Sequence, residues 1–390
     1  MKEIKNNIYY CGVQDPDRRL FDELIPLPHG TSYNSYLIKG SEKTALVDTS
    51  YSKTLQEFMH CLSGDTAGID YIIANHGEGD HTSALRTLLE LYPKALIVTS
   101  AKCKEILIDA YSIDDAKFLV VSNKERLSLG DKTLEFHLAP FVHWPDTMFT
   151  YVIEDKVLFT CDYLGAHYAG AFWAPETPEY LEGARRYYAE IMMPFRTHCQ
   201  KYVTKIEEGI KPEIIAPSHG GVYQNPSFIL NAYREWTADN PKNKAVIAYV
   251  SMYGNTGTMA KYLAKKLTEL GVETELCDIV KGDLGDLASA LVDSATIVLG
   301  ASMVLANPHP CAVLGIYITN VLRANVKFFS LIGSYGWGGN LTGKIEENIN
   351  GLKVEKLDYI IVKGAPKDET YAELDKLANT IAEKHKKIGV

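Results

Sequence analysis

Apolar and polar residues follow two different patterns along the chain, and these patterns divide it into two parts. In roughly the first 230 residues, short apolar runs with strand character are separated by turns and are mixed with helices. The runs at 33–38 and 44–48, joined by Lys39-Gly40-Ser41, predict a hairpin. The other elements expected here are strands at 71–75, 95–99, 118–121, 133–138, 152–160 and 213–216, and a helix at about 179–208 interrupted at Pro194.

From residue 244 onwards, apolar strands alternate strictly with helical stretches. A polar segment at 238–243 separates the two patterns, so we expect domains at 1–240 and 244–390. Strands with intervening helices in a segment of this length predict a doubly wound parallel sheet of flavodoxin size. The five expected strands lie at 245–250, 273–277, 296–299, 327–332 and 359–362, and a final helix is expected at about 368–387.

Composition narrows the class of protein. Apolar residues make up 46% and charged residues 23% of the 390 positions, as in globular proteins. The formal net charge of −9 argues against a nucleic-acid or membrane partner. The first residues contain no signal-peptide core, and no apolar run has the length of a membrane helix, so we expect a cytoplasmic location. Seven scattered cysteines without a CxxC pair predict free thiols, and no rubredoxin module.

A dense set of metal-ligand side chains follows the apolar strand at 71–75. The segment Asn75-His76-Gly77-Glu78-Gly79-Asp80-His81 contains two histidines and two carboxylates that alternate with glycines. Glycine disfavours a helix and permits a tight backbone, so these side chains can converge. Imidazoles combined with hard carboxylates suit iron or manganese, and zinc remains possible. The alternative is a solvated polar loop.

Three later residues stand in matching positions. His143 lies in the segment Val142-His143-Trp144-Pro145-Asp146, Asp162 closely follows the apolar run 157–160, and His219 follows the strand at 213–216. Loops held by a rigid sheet are common places for functional sites. Taken singly, each of these three residues is about equally well explained by an ordinary structural role and by metal binding.

Taken together, these residues resemble the ligand pattern of the metallo-β-lactamase-like domain of flavodiiron proteins. Hydrolytic members of that superfamily usually carry H-x-H-x-D-H, and Glu78 here stands in the place of the second histidine. The resemblance implies an N-terminal αββα sandwich with two irons. One iron would be held by His76, Glu78 and His143, the other by Asp80, His81 and His219, with Asp162 bridging them.

The resemblance also implies a tyrosine near this pocket, either Tyr187 or Tyr188, with ordinary packing as the alternative. Some family members carry a histidine in a Phe-His-Gly segment near the N-terminus. The corresponding stretch here, Leu20-Phe21-Asp22-Glu23, has none, and His29 is displaced from it. Proton delivery and substrate preference are therefore not transferred from the family.

The second part of the chain carries a candidate phosphate loop. Ser251-Met252-Tyr253-Gly254-Asn255-Thr256 follows the strand at 245–250 and opens a helix, where hydroxyls and backbone N–H groups bind phosphate without a cation. This segment resembles the phosphate loop of flavodoxins. The loops after the third and fourth strands, at 300–307 and 333–339, would flank the flavin ring, and Tyr335 and Trp337 would stack on it. The predicted FMN contacts are Ser251, Met252, Gly254, Asn255, Thr256, Ser302, Met303, Val304, Leu305, Asn307, Ser334, Tyr335, Gly336, Trp337 and Gly338.

The resemblance implies an oxidoreductase that reduces dioxygen to water, nitric oxide to nitrous oxide, or both. Electrons would enter through FMN from an external donor, and the missing rubredoxin module suggests a separate rubredoxin or a reduced deazaflavin. The sequence has no dinucleotide fingerprint, so direct NADH binding is not indicated. A head-to-tail homodimer or a dimer of dimers is also implied. Two alternatives stay open: a metal-dependent hydrolase fused to a flavodoxin, and an electron-transfer flavoprotein with an inactive metal domain.

Overall fold

The structure, a computed structural model, describes residues 1–63 and 68–390. These residues form two compact units, Met1–Tyr188 with Phe195–Thr237 and Ala189–Pro194 with Ala238–Val390, called here the first and second unit. Across the described ranges, no helix combines the length and apolar character that a bilayer crossing requires.

Two sheets form the centre of the first unit. The first sheet has seven strands, which are neighbours in the order Lys2–Lys5, Ile8–Tyr10, Tyr36–Lys39, Thr44–Val47, Tyr71–Ala74, Leu96–Thr99 and Phe118–Val120. The second sheet has five strands, in the order Arg126–Ser128, Thr133–Leu138, Met148–Val152, Val157–Cys161 and Ile214–Pro217. Two short pairs accompany them, Val13–Asp15 with Thr31–Tyr33 and Leu20–Phe21 with Ile25–Pro26.

Alternation along the strands explains how the sheets are covered. Tyr36 and Ile38 point into a core shared with Phe136 and Phe159 of the second sheet, whereas the intervening Leu37 faces a core that helices cover. On the outer face of the second sheet, the ring of Phe149 packs against that of the helical residue Tyr202, with 5.7 Å between centroids. The layers are therefore helix, sheet, sheet and helix, which confirms the predicted αββα sandwich.

Helical segments of the first unit lie mainly between and after the strands. The α-helices are Leu55–Leu62, Gly79–Thr82, Leu85–Leu91, Ala101–Tyr111, Pro178–Tyr187, Arg196–Thr204 and Pro226–Trp236. Short 3-10 turns occupy Ser52–Thr54 and Asp115–Lys117. The helix expected at 179–208 is interrupted more than predicted. Before Arg196–Thr204 come π-helical Tyr188–Met192 and a 3-10 turn at Met193–Phe195, most of which belong to the second unit, and π-helical Lys205–Ile210 follows it.

The second unit contains one parallel sheet. Its five main strands are neighbours in the order Glu273–Asp278, Lys242–Tyr249, Ser294–Val304, Phe328–Tyr335 and Ile360–Lys363, and the short strands Asn307–Pro308 and Glu355–Lys356 pair with its third and fourth members. Numbered by sequence, the main order is 2-1-3-4-5, which is the flavodoxin-like order and confirms the predicted doubly wound sheet. Its helices are Asn255–Glu269, Leu284–Leu291, Pro310–Val321, Leu341–Glu346 and Asp368–Lys387.

Candidate metal and flavin sites

The predicted metal ligands converge at one end of the sandwich. His76 follows the strand Tyr71–Ala74, whereas Asp162 and His219 follow the neighbouring strands Val157–Cys161 and Ile214–Pro217. His143 lies in the loop before Met148–Val152. The structure brings together all seven predicted side chains, which we call the ligand cluster: His76, Glu78, Asp80, His81, His143, Asp162 and His219.

The segment between His76 and His81 is partly helical. A Cβ at Gly77 would lie 2.8 Å from a side-chain carbon of Ile106 and 3.2 Å from Asp146 Oδ2, so close packing requires glycine there. Gly79 instead begins the one-turn helix Gly79–Thr82, which carries Asp80 and His81. The expectation that both glycines keep this segment free of helix is wrong at Gly79.

The ligand cluster consists of two groups that share one carboxylate. In the first group, Glu78 Oε2 lies 3.2 Å from His76 Nε2 and 3.3 Å from His143 Nε2. Asp162 Oδ2 lies 3.8 and 3.6 Å from the same two nitrogens. Ligand atoms around one metal ion with bonds of about 2.1 Å are separated by about 3 Å or slightly more, so these spacings suit a shared cation.

The second group has the same geometry on the other oxygen of Asp162. Asp162 Oδ1 lies 3.1 Å from His81 Nε2 and 3.2 Å from His219 Nε2. Asp80 places one oxygen 3.3 Å from His81 Nε2 and the other 3.2 Å from His219 Nε2. The carboxylate of Asp162 is thus positioned to bridge two cations.

Burial tests whether a cation fits this arrangement. Both carboxylate oxygens of Asp80 and Nε2 of His219 are buried without a hydrogen-bond partner in the described part of the chain. Buried polar atoms are normally hydrogen-bonded, and an unsatisfied one is costly. A metal ion accounts for these converging oxygen and nitrogen atoms, so the residues fit the metals that the sequence predicts.

Electrostatics in the cluster also favours bound positive charge. Burial alone would lower the pKa of His219, but Asp162 and Asp80 outweigh it and raise the pKa to about 10. Burial likewise opposes protonation of His143, but Asp162 and Glu78 raise its pKa to about 9. The carboxylates that raise these pKa values would equally stabilise a bound metal ion.

Hydrogen bonds orient the imidazoles from outside the cluster. Asp146 lies 3.1 Å from Nδ1 of His76 and accepts the backbone N–H of Gly77 at 2.7 Å. The backbone carbonyl of Ser32 lies 2.6 Å from Nδ1 of His219. Acceptors at Nδ1 fix the tautomer that leaves Nε2 free to bind a metal.

The two candidate tyrosines lie in different surroundings. The hydroxyl of Tyr187 donates to Oδ1 of Asp162 at 3.1 Å, so this side chain contacts the ligand cluster. The hydroxyl of Tyr188 donates to the backbone carbonyl of Trp236 at 3.1 Å, away from the cluster. His29 stacks on Tyr168 and does not join the cluster.

A cavity of about 290 Å³ opens onto the ligand cluster. Glu78 and Asp80, one from each ligand group, lie in its wall together with Phe21 and Asp22. The segment in which the sequence lacks a histidine therefore borders the cavity. Burial, followed by the charge of Glu78, raises the pKa of Asp22.

The second unit contains a larger cavity at the carboxyl ends of its strands. Its volume is about 390 Å³, within the range of ligand pockets. Twelve predicted FMN contacts line it: Ser251, Met252, Asn255, Thr256, Ser302, Met303, Val304, Leu305, Ser334, Tyr335, Gly336 and Trp337. Three predicted contacts, Gly254, Asn307 and Gly338, are not part of the lining, which includes Tyr253 and Gly364 instead.

The phosphate end of this cavity has the expected helix start. Gly254 precedes the helix Asn255–Glu269 with φ of 91°, a left-handed conformation that favours glycine. Ser251 Oγ accepts the backbone N–H of Gly257 in the first turn of the helix at 3.0 Å, and Thr256 shares a 3.1 Å hydrogen bond with Ser334. Ser302 Oγ is buried without a hydrogen-bond partner among the described residues. The start of this helix and the unpaired Ser302 hydroxyl fit a bound flavin phosphate and ring.

Comparisons with known proteins decide the family. The ODP family beta lactamase model matches residues 31–220, and the Flavodoxin model matches residues 247–377. A nitric oxide reductase of Moorella thermoacetica is 33% identical to this chain, with 90% of each protein covered. The flavo-diiron protein FprA2 of Clostridium acetobutylicum is 31% identical, covering 90% of this chain and 91% of that protein.

The chain belongs to the flavodiiron protein family. The similarity extends to structure, since rubredoxin oxygen:oxidoreductase of Desulfovibrio gigas matches with a TM-score of 0.94 and 28% identity over 99% of both chains. This family membership confirms the resemblance seen in the sequence and the expectation of an oxidoreductase.

Two residues of this flavodiiron protein were not assigned a role from the sequence. Asp146 stands within the segment that supplied His143, but only its contact with His76 reveals its place. His167 lies five positions after Asp162 and is buried beside His219, with 5.5 Å between ring centroids. The sequence could have indicated His167 only through its position shortly after the strand that precedes Asp162.

Proposed function

We propose that this flavodiiron protein reduces dioxygen to water, nitric oxide to nitrous oxide, or both, at two irons held by the ligand cluster. The observation that carries the proposal is Asp162, whose two carboxylate oxygens face two separate groups of ligands. A hydrolytic zinc site is less well supported, because Glu78 contributes a third carboxylate and hard oxygen ligands favour iron over softer alternatives.

Each ligand group would hold one iron. His76, Glu78 and His143 would bind the first, Asp80, His81 and His219 the second, and Asp162 both. When bound, the two irons supply the electrons that the oxidant receives. Asp146 and the Ser32 carbonyl keep protons on the outer nitrogens of His76 and His219, which directs their Nε2 atoms inward.

The second unit would hold FMN in its cavity. Backbone N–H groups at the start of Asn255–Glu269, with Ser251 and Thr256, would bind the phosphate, while Tyr335 and Trp337 would border the ring. Gly254, Asn307 and Gly338 would shape the same loops. FMN bound there would supply electrons for the irons, and an external donor, a rubredoxin or a reduced deazaflavin, would reduce the FMN.

The organisation of the protein follows from the same proposal. Residues 1–240 would form the diiron domain and residues 244–390 the FMN domain, in a cytoplasmic enzyme. Two chains would assemble head to tail, singly or as a dimer of dimers, so that the flavin of one chain serves the irons of the other. The support for this assembly is the family resemblance.

Gas consumption tests the proposed reaction. The reduced protein, loaded with iron and FMN, should consume dioxygen or nitric oxide rapidly under steady supply of electrons, and the same protein loaded with zinc should consume both gases much more slowly. An iron-loaded protein that consumes neither gas, together with a zinc-loaded protein that hydrolyses test esters or lactams, would establish the hydrolase alternative instead.

Mixed subunits test the assembly. A variant that cannot bind iron, Asp162→Ala, and one that binds FMN weakly, Thr256→Val, should each have low activity with limiting FMN. Exchanging subunits between them should raise activity above the sum of the separate variants, because one chain's flavin would serve the other's irons. If activity stays at that sum although mixed dimers form, the head-to-tail proposal fails.

A further inference from the structure

Trp144 contacts the ligand cluster from the side of the first ligand group. The centroid of its ring lies 4.9 Å from that of His76 and 6.2 Å from that of His143. The indole plane meets the two imidazole planes at 82° and 76°, so the contacts are edge-on. The side chain of Trp144 is only half-buried. One oxidisable ring therefore extends from two predicted ligands towards solvent.

The backbone around Trp144 holds this ring in place. The Trp144 carbonyl accepts the backbone N–H of Phe141 at 2.8 Å and the hydroxyl of Thr147 at 3.2 Å. Two residues further along, the carboxylate of Asp146 lies 3.1 Å from Nδ1 of His76. The same short segment thus fixes both the indole and the orientation of the imidazole that the indole touches.

The electron count of dioxygen reduction indicates what such a ring could do. Reduction of one dioxygen to two waters takes four electrons, and two ferrous ions supply two of them. Reduced FMN supplies the other two, but FMN that is oxidised or absent cannot. The missing electrons must then come from the protein. Indole is among the most readily oxidised side-chain rings, and it can lose an electron before it loses a proton.

We propose that Trp144 is a sacrificial electron donor, which supplies the two missing electrons when reduced FMN is not available. In its overall oxidation, the indole takes up one water and releases two electrons and two protons, which leaves hydroxytryptophan. One dioxygen, two ferrous ions, one tryptophan and two protons thus yield two ferric ions, one hydroxytryptophan and one water. The imidazoles of His76 and His143 are spared. The inference rests on the proposed reduction of dioxygen.

The alternative is a packing role, in which the indole only supports the imidazole of His76. Trp144→Phe separates the two roles, because phenylalanine keeps an aromatic ring at this place but is much harder to oxidise. Iron content should stay at the wild-type level if Trp144 is an electron donor, and should fall if it is a packing group. Trp173→Phe is the matched control, since Trp173 is also half-buried but packs against Phe172, with 4.6 Å between centroids.

The site of oxidation is the direct readout. Full-length protein without FMN, loaded with ferrous iron, is mixed with dioxygen in isotopically labelled water with catalase present, and its peptides are then analysed by mass spectrometry. We expect Trp144 to gain one oxygen atom that carries the label from water. Trp337 is 73% exposed and therefore reports oxidants that diffuse through solution; its modification should be at least about tenfold lower.

Two comparisons sharpen this test. Protein that contains fully reduced FMN as well as ferrous iron should leave Trp144 unmodified after a single exposure to dioxygen, because the flavin then supplies the two electrons. Rapid freezing of the FMN-free reaction should trap an organic radical in the wild type and in Trp173→Phe, detected by electron paramagnetic resonance, and none in Trp144→Phe.

The outcomes distinguish this inference from the proposed function. If dioxygen oxidises the ferrous irons while Trp144 stays unmodified, or if Trp144 and Trp337 are modified equally, the inference alone is overturned. Loss of iron from Trp144→Phe before exposure would also overturn it, in favour of the packing role. Ferrous irons that do not react with dioxygen would end the inference, and nitric oxide consumption would then decide the proposed function. If Trp144→Phe does not fold, the wild-type label distribution decides.

Discussion

The ligand cluster and the flavin cavity differ in the charge and the burial of their side chains. The ligand cluster gathers charged side chains in a buried place, with Asp162 and His219 almost fully excluded from solvent. The flavin cavity has no charged side chain among its described lining residues, and Tyr253, Leu305 and Trp337 are 89%, 86% and 73% exposed. One site is built from buried charged side chains, and the other from uncharged side chains that include exposed apolar surface.

The difference follows from the size and charge of what each site holds. Buried carboxylates and imidazoles are stable only when hydrogen bonds and opposite charges surround them, so the ligand cluster needs a second layer of residues. A flavin brings its own large apolar surface, and its phosphate needs only N–H groups and hydroxyls at a helix start. Substitutions should therefore act more strongly at the ligand cluster than at the flavin cavity.

Removal of the shared carboxylate is expected to have the largest effect. Asp162→Ala deprives both ligand groups of an oxygen, so iron content should fall close to zero while FMN content stays unchanged. Gas consumption should drop by about a thousandfold or more, equivalent to about 4 kcal/mol or more in the activation barrier. Iron analysis and an oxygen electrode measure both quantities. Asp109→Ala, at an exposed helical position, is the control, and retention of two irons by Asp162→Ala would contradict the bridging role.

The second layer of the ligand cluster should give the next largest effect. Asp146→Asn removes the charge that faces Nδ1 of His76 and weakens the hold on Gly77. Iron affinity should fall about 10- to 100-fold, as for other outer partners of metal ligands. Competition with a chelator measures this affinity, with Asp109→Asn as the matched control. Wild-type affinity in Asp146→Asn would show that the cluster needs no outer support, which would weaken the contrast with the flavin cavity.

At the flavin cavity, a single hydroxyl should matter less. Thr256→Val keeps the shape of the side chain but removes a hydrogen bond available to the phosphate. FMN should bind about tenfold more weakly, because hydrogen bonds to charged groups contribute about 1.5–3 kcal/mol. Fluorescence titration of the flavin-free protein measures this change, and iron content should stay constant. Thr258→Val, exposed on the same helix, should change neither quantity; a comparable loss there would place the phosphate elsewhere.

The neighbouring tyrosines should show the smallest and most selective effects. Tyr187→Phe removes the hydrogen bond to Asp162 and should lower gas turnover about three- to tenfold with iron retained. Tyr188→Phe leaves the Trp236 carbonyl without its donor and should lower the free energy of unfolding by about 1 kcal/mol with turnover unchanged. Steady-state kinetics and denaturant unfolding separate the two. If Tyr187→Phe reduced the gases as fast as Tyr188→Phe, the Tyr187 hydroxyl would have no role in turnover.

The sequence predicted correctly which side chains lie together where a residue of a suitable chemical type directly follows an apolar strand. His76, Asp162 and His219 follow apolar strands, and the parallel strands of the second unit end in the loops that line the flavin cavity. The final helix, Asp368–Lys387, also agrees with its expected range because its apolar positions recur with helical spacing. These features depend on local pattern, which a sequence displays directly.

Features that depend on distant contacts were not predictable. Tyr187 and Tyr188 are adjacent in sequence, and only the folded chain shows which of them reaches Asp162. Asp146 and His167 likewise acquire their places through neighbours that are far away along the chain. The short strands near the N-terminus were missed because runs of two or three residues have too little periodicity to identify.

The most direct test of the central claim is a single turnover of the fully reduced protein. Wild-type protein with iron and FMN is reduced without oxygen and mixed rapidly with dioxygen or nitric oxide, and flavin oxidation is followed by absorption. If electrons pass from FMN to the irons, flavin oxidation with at least one of the two gases should be at least about a hundredfold slower in Asp162→Ala than in wild type. Equal rates in the two proteins with both gases would mean that the flavin reacts directly and that the ligand cluster is not the site of reduction.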